Sequence, residues 1–121
     1  MNEERHALVV DDHPTNRLLA SALLKRMGWI VSDAENGNLA LEQAGQKTFR
    51  LILLDISMPG LSGEETCAKL RATPSGGALK IIAYTAHAFQ EDRDRLLAAG
   101  FDDILVKPIS VQALEALTKD L

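Results

Sequence analysis

Several aliphatic runs in this chain end abruptly on a residue that could do chemistry. Residues 7–10 (Ala-Leu-Val-Val) stop on Asp11 and Asp12, and residues 51–54 (Leu-Ile-Leu-Leu) stop on Asp55. Residues 79–85 end on Thr85, and residues 103–106 lead into Lys107-Pro108. Runs this short and this uniformly apolar fit parallel strands covered on both faces. In an open α/β sheet the carboxyl ends of such strands share one edge, where ligands bind. Asp55 also begins a turn through Met58, Pro59 and Gly60, and acids often occupy such positions for conformational reasons alone. Taken by itself, Asp55 fits either explanation.

The company it keeps points to one chemistry. Three carboxylates brought together repel one another, and a divalent cation resolves that repulsion. Oxygen-only ligands favour Mg²⁺ over zinc, and His6, His13 and His87 do not stand at metal-binding spacings. An ammonium (Lys107) and a hydroxyl (Thr85) beside an acid–metal cluster are what the oxygens of a phosphoryl group require.

The segments between the strands must hold these ends in place. Pro14 suits the first turn of a helix, which runs to about Met27 and stops at Gly28. Helical spacing gives it a stripe of Leu19, Ala20, Leu23 and Met27, with Leu18 pointing to solvent. Residues 29–35 read as an edge strand, and Asn36-Gly37 opens a second helix carrying Leu39, Ala40, Leu41 and Ala44. A third helix begins at Gly63 or Glu64 and ends near Arg71. The breaker-rich stretch 73–77 is a connector, since a strand follows it. A fourth helix spans about 89–99 before Gly100, and Ser110 caps a fifth from Val111, with Leu114 and Leu117 inward. Five strands alternating with five helices imply a parallel sheet with helices on both faces, built as one domain over residues 1–121.

Composition sets outer bounds. The chain is 46% hydrophobic and 25% charged, which is globular rather than disordered. Acids outnumber Lys and Arg 17 to 13 and no basic run exists, which argues against direct nucleic-acid binding. The single cysteine, Cys67, cannot form an internal disulfide and reads as a core residue. A charged N-terminus and no span of membrane length argue for a cytoplasmic domain without membrane insertion.

Taken together, Val10-Asp11-Asp12, Leu54-Asp55-Ile56-Ser57-Met58-Pro59-Gly60 with Gly63, Thr85-Ala86 and Lys107-Pro108 resemble the receiver domains of two-component response regulators over nearly the whole chain. The resemblance implies a flavodoxin-like (βα)5 sandwich with sheet order 2-1-3-4-5, an order for which a chemotaxis receiver is a standard example. It implies that Asp55 accepts a phosphoryl group from phosphohistidine, the domain catalysing its own phosphorylation and dephosphorylation. Asp12 would ligate Mg²⁺ directly and Asp11 through water, with Asp55 and the Ser57 carbonyl completing the protein ligands. Lys107 and Thr85 would contact the phosphoryl oxygens, as would the backbone N–H of Ala86. The bond before Pro108 is expected to be cis, an isomer that proline makes accessible.

The wording around the motifs, Asp-Asp-His-Pro-Thr-Asn-Arg and Thr-Ala-His-Ala-Phe, is similar to receivers of hybrid sensor histidine kinases. That resemblance implies a histidine kinase or histidine phosphotransfer domain as partner, docking near the first helix at Leu18 and Ala22. Ser57 and His87 stand where receivers tune the lifetime of the phosphoryl group. The chain departs from the family at Ile104, where many receivers carry the aromatic half of a Thr/aromatic switch; an aliphatic side chain cannot play that part. Other readings fit less well. A flavodoxin would have a Ser/Thr/Gly-rich loop where this chain has Asp-Asp-His-Pro. A hydrolase with an aspartate nucleophile needs a second acid where Ser57 stands. The rival from another class is a receiver-fold protein-binding module that is not phosphorylated, which would normally have lost one of the five key residues.

Overall fold

In the computed structural model, which describes residues 5–57, 60–74, 76–86, 89–119 and 121, five strands alternate with five helices. They are β1 (His6–Val10), α1 (Pro14–Arg26), β2 (Ile30–Ala34), α2 (Gly37–Gln46), β3 (Leu51–Asp55), α3 (Gly63–Arg71), β4 (Lys80–Thr85), α4 (Gln90–Ala98), β5 (Asp103–Val106) and α5 (Val111–Thr118). All pairings are parallel, as the alternation of strands and helices predicts, and the order is β2-β1-β3-β4-β5, as the receiver resemblance implies.

Strand periodicity divides the core in two. Leu8, Val10, Ile52, Leu54, Ile81 and Ala83 face the side covered by α2, α3 and α4, where Ala40, Cys67, Leu70 and Leu96 meet them. Their alternates Ala7, Val9, Leu51, Leu53, Ile82 and Tyr84 face α1 and α5, meeting Ala20, Leu24 and Leu114. Burial on both faces is why these strands are continuous apolar runs. Each fully buried Leu or Ile contributes roughly 1.5–3 kcal/mol by leaving water.

Local signals set the helix ends. Ser62 and Glu65 form a reciprocal capping box at the start of α3. Ser110 Oγ accepts from Ala113 N at 3.3 Å to cap α5. Gly28 and Gly100 have φ of +95° and +113° just past α1 and α4, conformations that disfavour a side chain.

The first helix corrects the expected stripe. Leu19 is 46% exposed, while Ser21 and Leu24 are buried beside Ala20; Leu23 and Met27 are half-buried, as expected. Leucines at 18, 19, 23 and 24 surround the helix, so the apolar pattern does not fix its rotation. The packing against Ala7, Val9 and Trp29 does.

Candidate functional site

The register brings the strand ends into one cluster. β1 pairs with β3 so that Val10 lies beside Leu54, which carries Asp11 and Asp55 forward together. In β4, Tyr84 is the register partner of Asp55 and Thr85 follows it. β5 sets Val106 beside Thr85, and the Lys107 N–H donates to the Thr85 carbonyl at 2.7 Å. The Lys107-Pro108 bond is cis, as the resemblance implied. The start of α3 packs closely on the end of β3: a Cβ on Gly63 would lie 2.6 Å from Ile56 Cα and 3.0 Å from the Asp55 carbonyl oxygen. Only glycine lets α3 start this near the site.

Asp11 is fully buried and Asp55 nearly so, while Asp12 is exposed. One carboxylate oxygen from each lies within 4.8 Å of the other two. Asp11 Oδ1 accepts from the His13 N–H at 2.8 Å, whereas Asp11 Oδ2 is buried with no hydrogen-bond partner among the described residues. Asp55 Oδ1 accepts from the Ser57 N–H at 3.0 Å. Lys107 Nζ lies 3.4 Å from Asp55 Oδ1 and 3.6 Å from Asp11 Oδ2, so one ammonium faces two buried acids at ion-pair rather than hydrogen-bond range.

The electrostatics follow from that imbalance. Burial pushes the Asp11 carboxyl above its ordinary value, and the His13 N–H opposes this; the neighbouring Asp55 pushes it further up and Lys107 pulls it down. A buried acceptor with no donor is costly. A divalent cation among the three carboxylates removes that cost, so the donor set fits a hard metal ion.

The remaining expected positions are placed as follows. Thr85 is buried at the end of β4 and Ala86, next in the chain, is exposed, as is Ser57 two residues past Asp55. Ile104 is half-buried against the α2–α4 core. His87 lies outside the described residues, as do Met58 and Pro59. Leu18 (72% exposed) and Ala22 lie on the solvent-exposed face of α1.

Two contributors were not read from the sequence. Arg17 Nη1 donates to the Asp11 carbonyl at 2.8 Å while its Nε pairs with Asp33 Oδ2 at 3.3 Å, tying α1 to β1 and β2. Tyr84, 2% exposed, places its ring 4.9 Å from Lys107 Nζ. The register that pairs Asp55 with Tyr84 puts the ring on Asp55's side of the sheet, and no local pattern in the sequence records that register.

A family model of the response regulator receiver domain matches residues 7–119. The chain belongs to the receiver family. It is 41% identical over 110 residues to the sensor protein GacS of Pseudomonas syringae pv. syringae, a match covering 88% of this chain and 12% of GacS. The chain thus spans about an eighth of the length of such relatives, in which the matched part is the receiver of a hybrid sensor kinase. Among solved structures it resembles the receiver of sensor histidine kinase PA1611 from Pseudomonas aeruginosa PAO1, solved with a magnesium ion coordinated in the active site cleft. That likeness has a TM-score of 0.88 and 32% identity, covering 98% of this chain and 97% of that one. It also resembles the receiver of Ssk1 from Saccharomyces cerevisiae, solved in complex with the histidine phosphotransfer protein Ypd1. There the TM-score is 0.88 and the identity 25%, covering 99% of this chain and 90% of that one. No helix among the described residues of this receiver is long and apolar enough to cross a membrane.

Proposed function

We propose that this receiver is the phosphoacceptor of a two-component phosphorelay, with Asp55 taking a phosphoryl group from a phosphohistidine in a Mg²⁺-dependent step. The observation that carries the proposal is the uncompensated charge of the site. Two buried acids share one ammonium, and Asp11 Oδ2 has no hydrogen-bond donor among the described residues.

In this reading Asp11, Asp12 and Asp55, with the Ser57 carbonyl, hold the ion. When bound, Mg²⁺ supplies the positive charge that lets three carboxylates and an incoming phosphoryl group occupy one cleft. The Ser57 N–H holds one oxygen of Asp55 by a hydrogen bond and the Lys107 ammonium faces the same oxygen at ion-pair range, which orients the carboxylate. A carboxylate oxygen then forms a bond to phosphorus as the phosphorus–nitrogen bond to the donor imidazole breaks, and the imidazole nitrogen takes a proton. Lys107, the Thr85 hydroxyl and the Ala86 N–H accommodate the charge on the transferred oxygens. Ser57 and His87 control access of the water that later hydrolyses the acyl phosphate. The donor is a histidine kinase or histidine phosphotransfer domain, for which the exposed Leu18–Ala22 face of α1 is the docking surface. The Ypd1–Ssk1 complex supports a partner of that class. With Ile104 anchored in the core, output runs through the occupied Thr85 and Lys107 rather than through a rotating aromatic.

The test is incubation with Mg²⁺ and acetyl phosphate followed by intact mass measurement. A single phosphoryl adduct, acid-stable and base-labile, is expected, and it should be absent in Asp55→Asn. Wild-type protein that stays unmodified would favour a binding module that works without phosphorylation.

A further inference from the structure

Lys107 is an unusual group to leave loosely held. Its stem has several rotatable bonds, its ammonium carries three donors, and its two carboxylate contacts are longer than hydrogen bonds, at 3.4 and 3.6 Å. Two carboxylates on one side attract the ammonium without fixing where it stops. The structure offers a third contact from below. The Tyr84 ring lies 4.9 Å from Lys107 Nζ, within the range in which an aromatic face attracts a cation.

The placement of that ring follows from the sheet. Tyr84 is the register partner of Asp55 and Leu105 is the register partner of Tyr84. Asp55, Tyr84 and Lys107 therefore project to the same side of three adjacent strand ends. The ring is buried in the α1–α5 core with Leu53, Ile82 and Leu105, so it cannot swing away. Burial, together with the charges of Asp11 and Asp55, pushes the phenol above its ordinary value. The ring thus stays neutral and adds no third negative charge beneath the ammonium.

We infer that Tyr84 is a positioning residue for phosphoryl transfer: its ring face holds the Lys107 ammonium between Asp11 and Asp55 before the phosphoryl group arrives. This rests on the reading of Lys107 as a phosphoryl contact, and it assigns the ring a role that the strand-end motif does not contain. A leucine at position 84 would fill much of the same core space and leave the ammonium free to wander. A phenylalanine would keep the cation-attracting face and lose only the hydroxyl.

The experiment has two arms. In the first, the Lys107 ε-methylene protons are assigned by NMR in the wild type, Tyr84→Phe and Tyr84→Leu. An upfield ring-current shift is expected in the wild type and Tyr84→Phe and should vanish in Tyr84→Leu. Unshifted protons in the wild type overturn the inference, whatever the phosphorylation chemistry proves to be. In the second, initial rates of phosphorylation by acetyl phosphate with Mg²⁺ are compared. Tyr84→Phe should stay within about twofold of the wild type and Tyr84→Leu should slow about tenfold, equivalent to about 1.4 kcal/mol. In a Lys107→Met background, Tyr84→Leu should cause no further loss. An equal loss with and without Lys107 would assign Tyr84 to packing alone and contradict the proposal. An equal rate in Tyr84→Leu and wild type would contradict it as well. Failure of the wild type to form any adduct would instead count against Asp55 as acceptor, and the ring-current arm would still decide Tyr84.

Discussion

The two poles of the sheet treat charge in opposite ways. At the amino-terminal pole, Arg71 at the end of α3 uses all five of its N–H donors. Nε and Nη2 reach the Gly100 carbonyl, Nη1 reaches the carbonyls of Gly76 and Leu79, and Nη2 also reaches Asp102 Oδ2 at 2.6 Å. Asp102 Oδ2 in turn accepts from the Ile81 N–H at 2.8 Å. At the carboxyl-terminal pole, Lys107 stands between two buried acids at ion-pair range and Asp11 Oδ2 has no hydrogen bond among the described residues. A charge whose partners are complete has no capacity left for a ligand. One whose partners are incomplete destabilises the fold and keeps a binding site open. The difference marks Arg71 as a clamp joining the α3–β4 and α4–β5 loops and the acid cluster as the working end.

Breaking each pole in turn should therefore have effects of opposite sign. The largest change in stability belongs to Arg71→Met, which leaves four acceptors without their donor. Urea unfolding should show a loss of about 2 kcal/mol, below the range for a fully buried pair because Asp102 keeps access to water. Phosphorylation of the folded fraction should be unchanged. At the other pole, Asp11→Asn should stabilise the metal-free protein by about 1 kcal/mol, the low end of the cost of a buried polar group left without its partner, because it removes one of two buried charges that face a single ammonium, while weakening Mg²⁺ binding. A destabilised Asp11→Asn would mean that the cluster is balanced without a cation.

The pH dependence sharpens the same contrast. Asp11 holds its proton to higher pH in the folded chain than in the unfolded one, because it is buried and faces Asp55. Its contribution is thus present at low pH and lost as pH rises through its folded value. The stability difference between wild type and Asp11→Asn should widen over that interval, and saturating Mg²⁺ should close it. In the interior, burial pushes the Cys67 thiol from 9.0 to about 11. Stability contributed by its neutral form should fall between those values, and alkylation at pH 8 should be far slower in the folded than in the unfolded protein. The smallest change in stability is expected at the surface. Leu18→Asp should shift it by less than about 0.5 kcal/mol while slowing transfer from a phosphorylated histidine phosphotransfer domain and sparing phosphorylation by acetyl phosphate. Equal transfer rates would remove α1 as the docking face.

How legible each feature was depends on the range of the interactions that fix it. Residues 7–10 and 51–54 could be read as strands because burial on both faces leaves a one-dimensional trace. Asp11, Asp12, Asp55, Thr85 and Lys107 could be read as one cluster because parallel topology sends every strand end to the same edge. The rotation of α1 could not be read, since leucines surround it and Ser21 sits on the buried face. Tyr84 beneath Lys107, Arg17 on the Asp11 carbonyl and the Arg71 clamp were also hidden. Each joins residues whose proximity is set by strand register or loop packing, which no local pattern records.

The central claim is that Asp55, rather than either neighbouring acid, receives the phosphoryl group. Chemical reduction of the acyl phosphate formed with acetyl phosphate and Mg²⁺, followed by peptide mapping, addresses it most directly. The account expects a single reduced site at Asp55 whose formation stops when the divalent cation is chelated. Modification at Asp11, Asp12 or Ser57, or an adduct that forms equally well without a divalent cation, would contradict it.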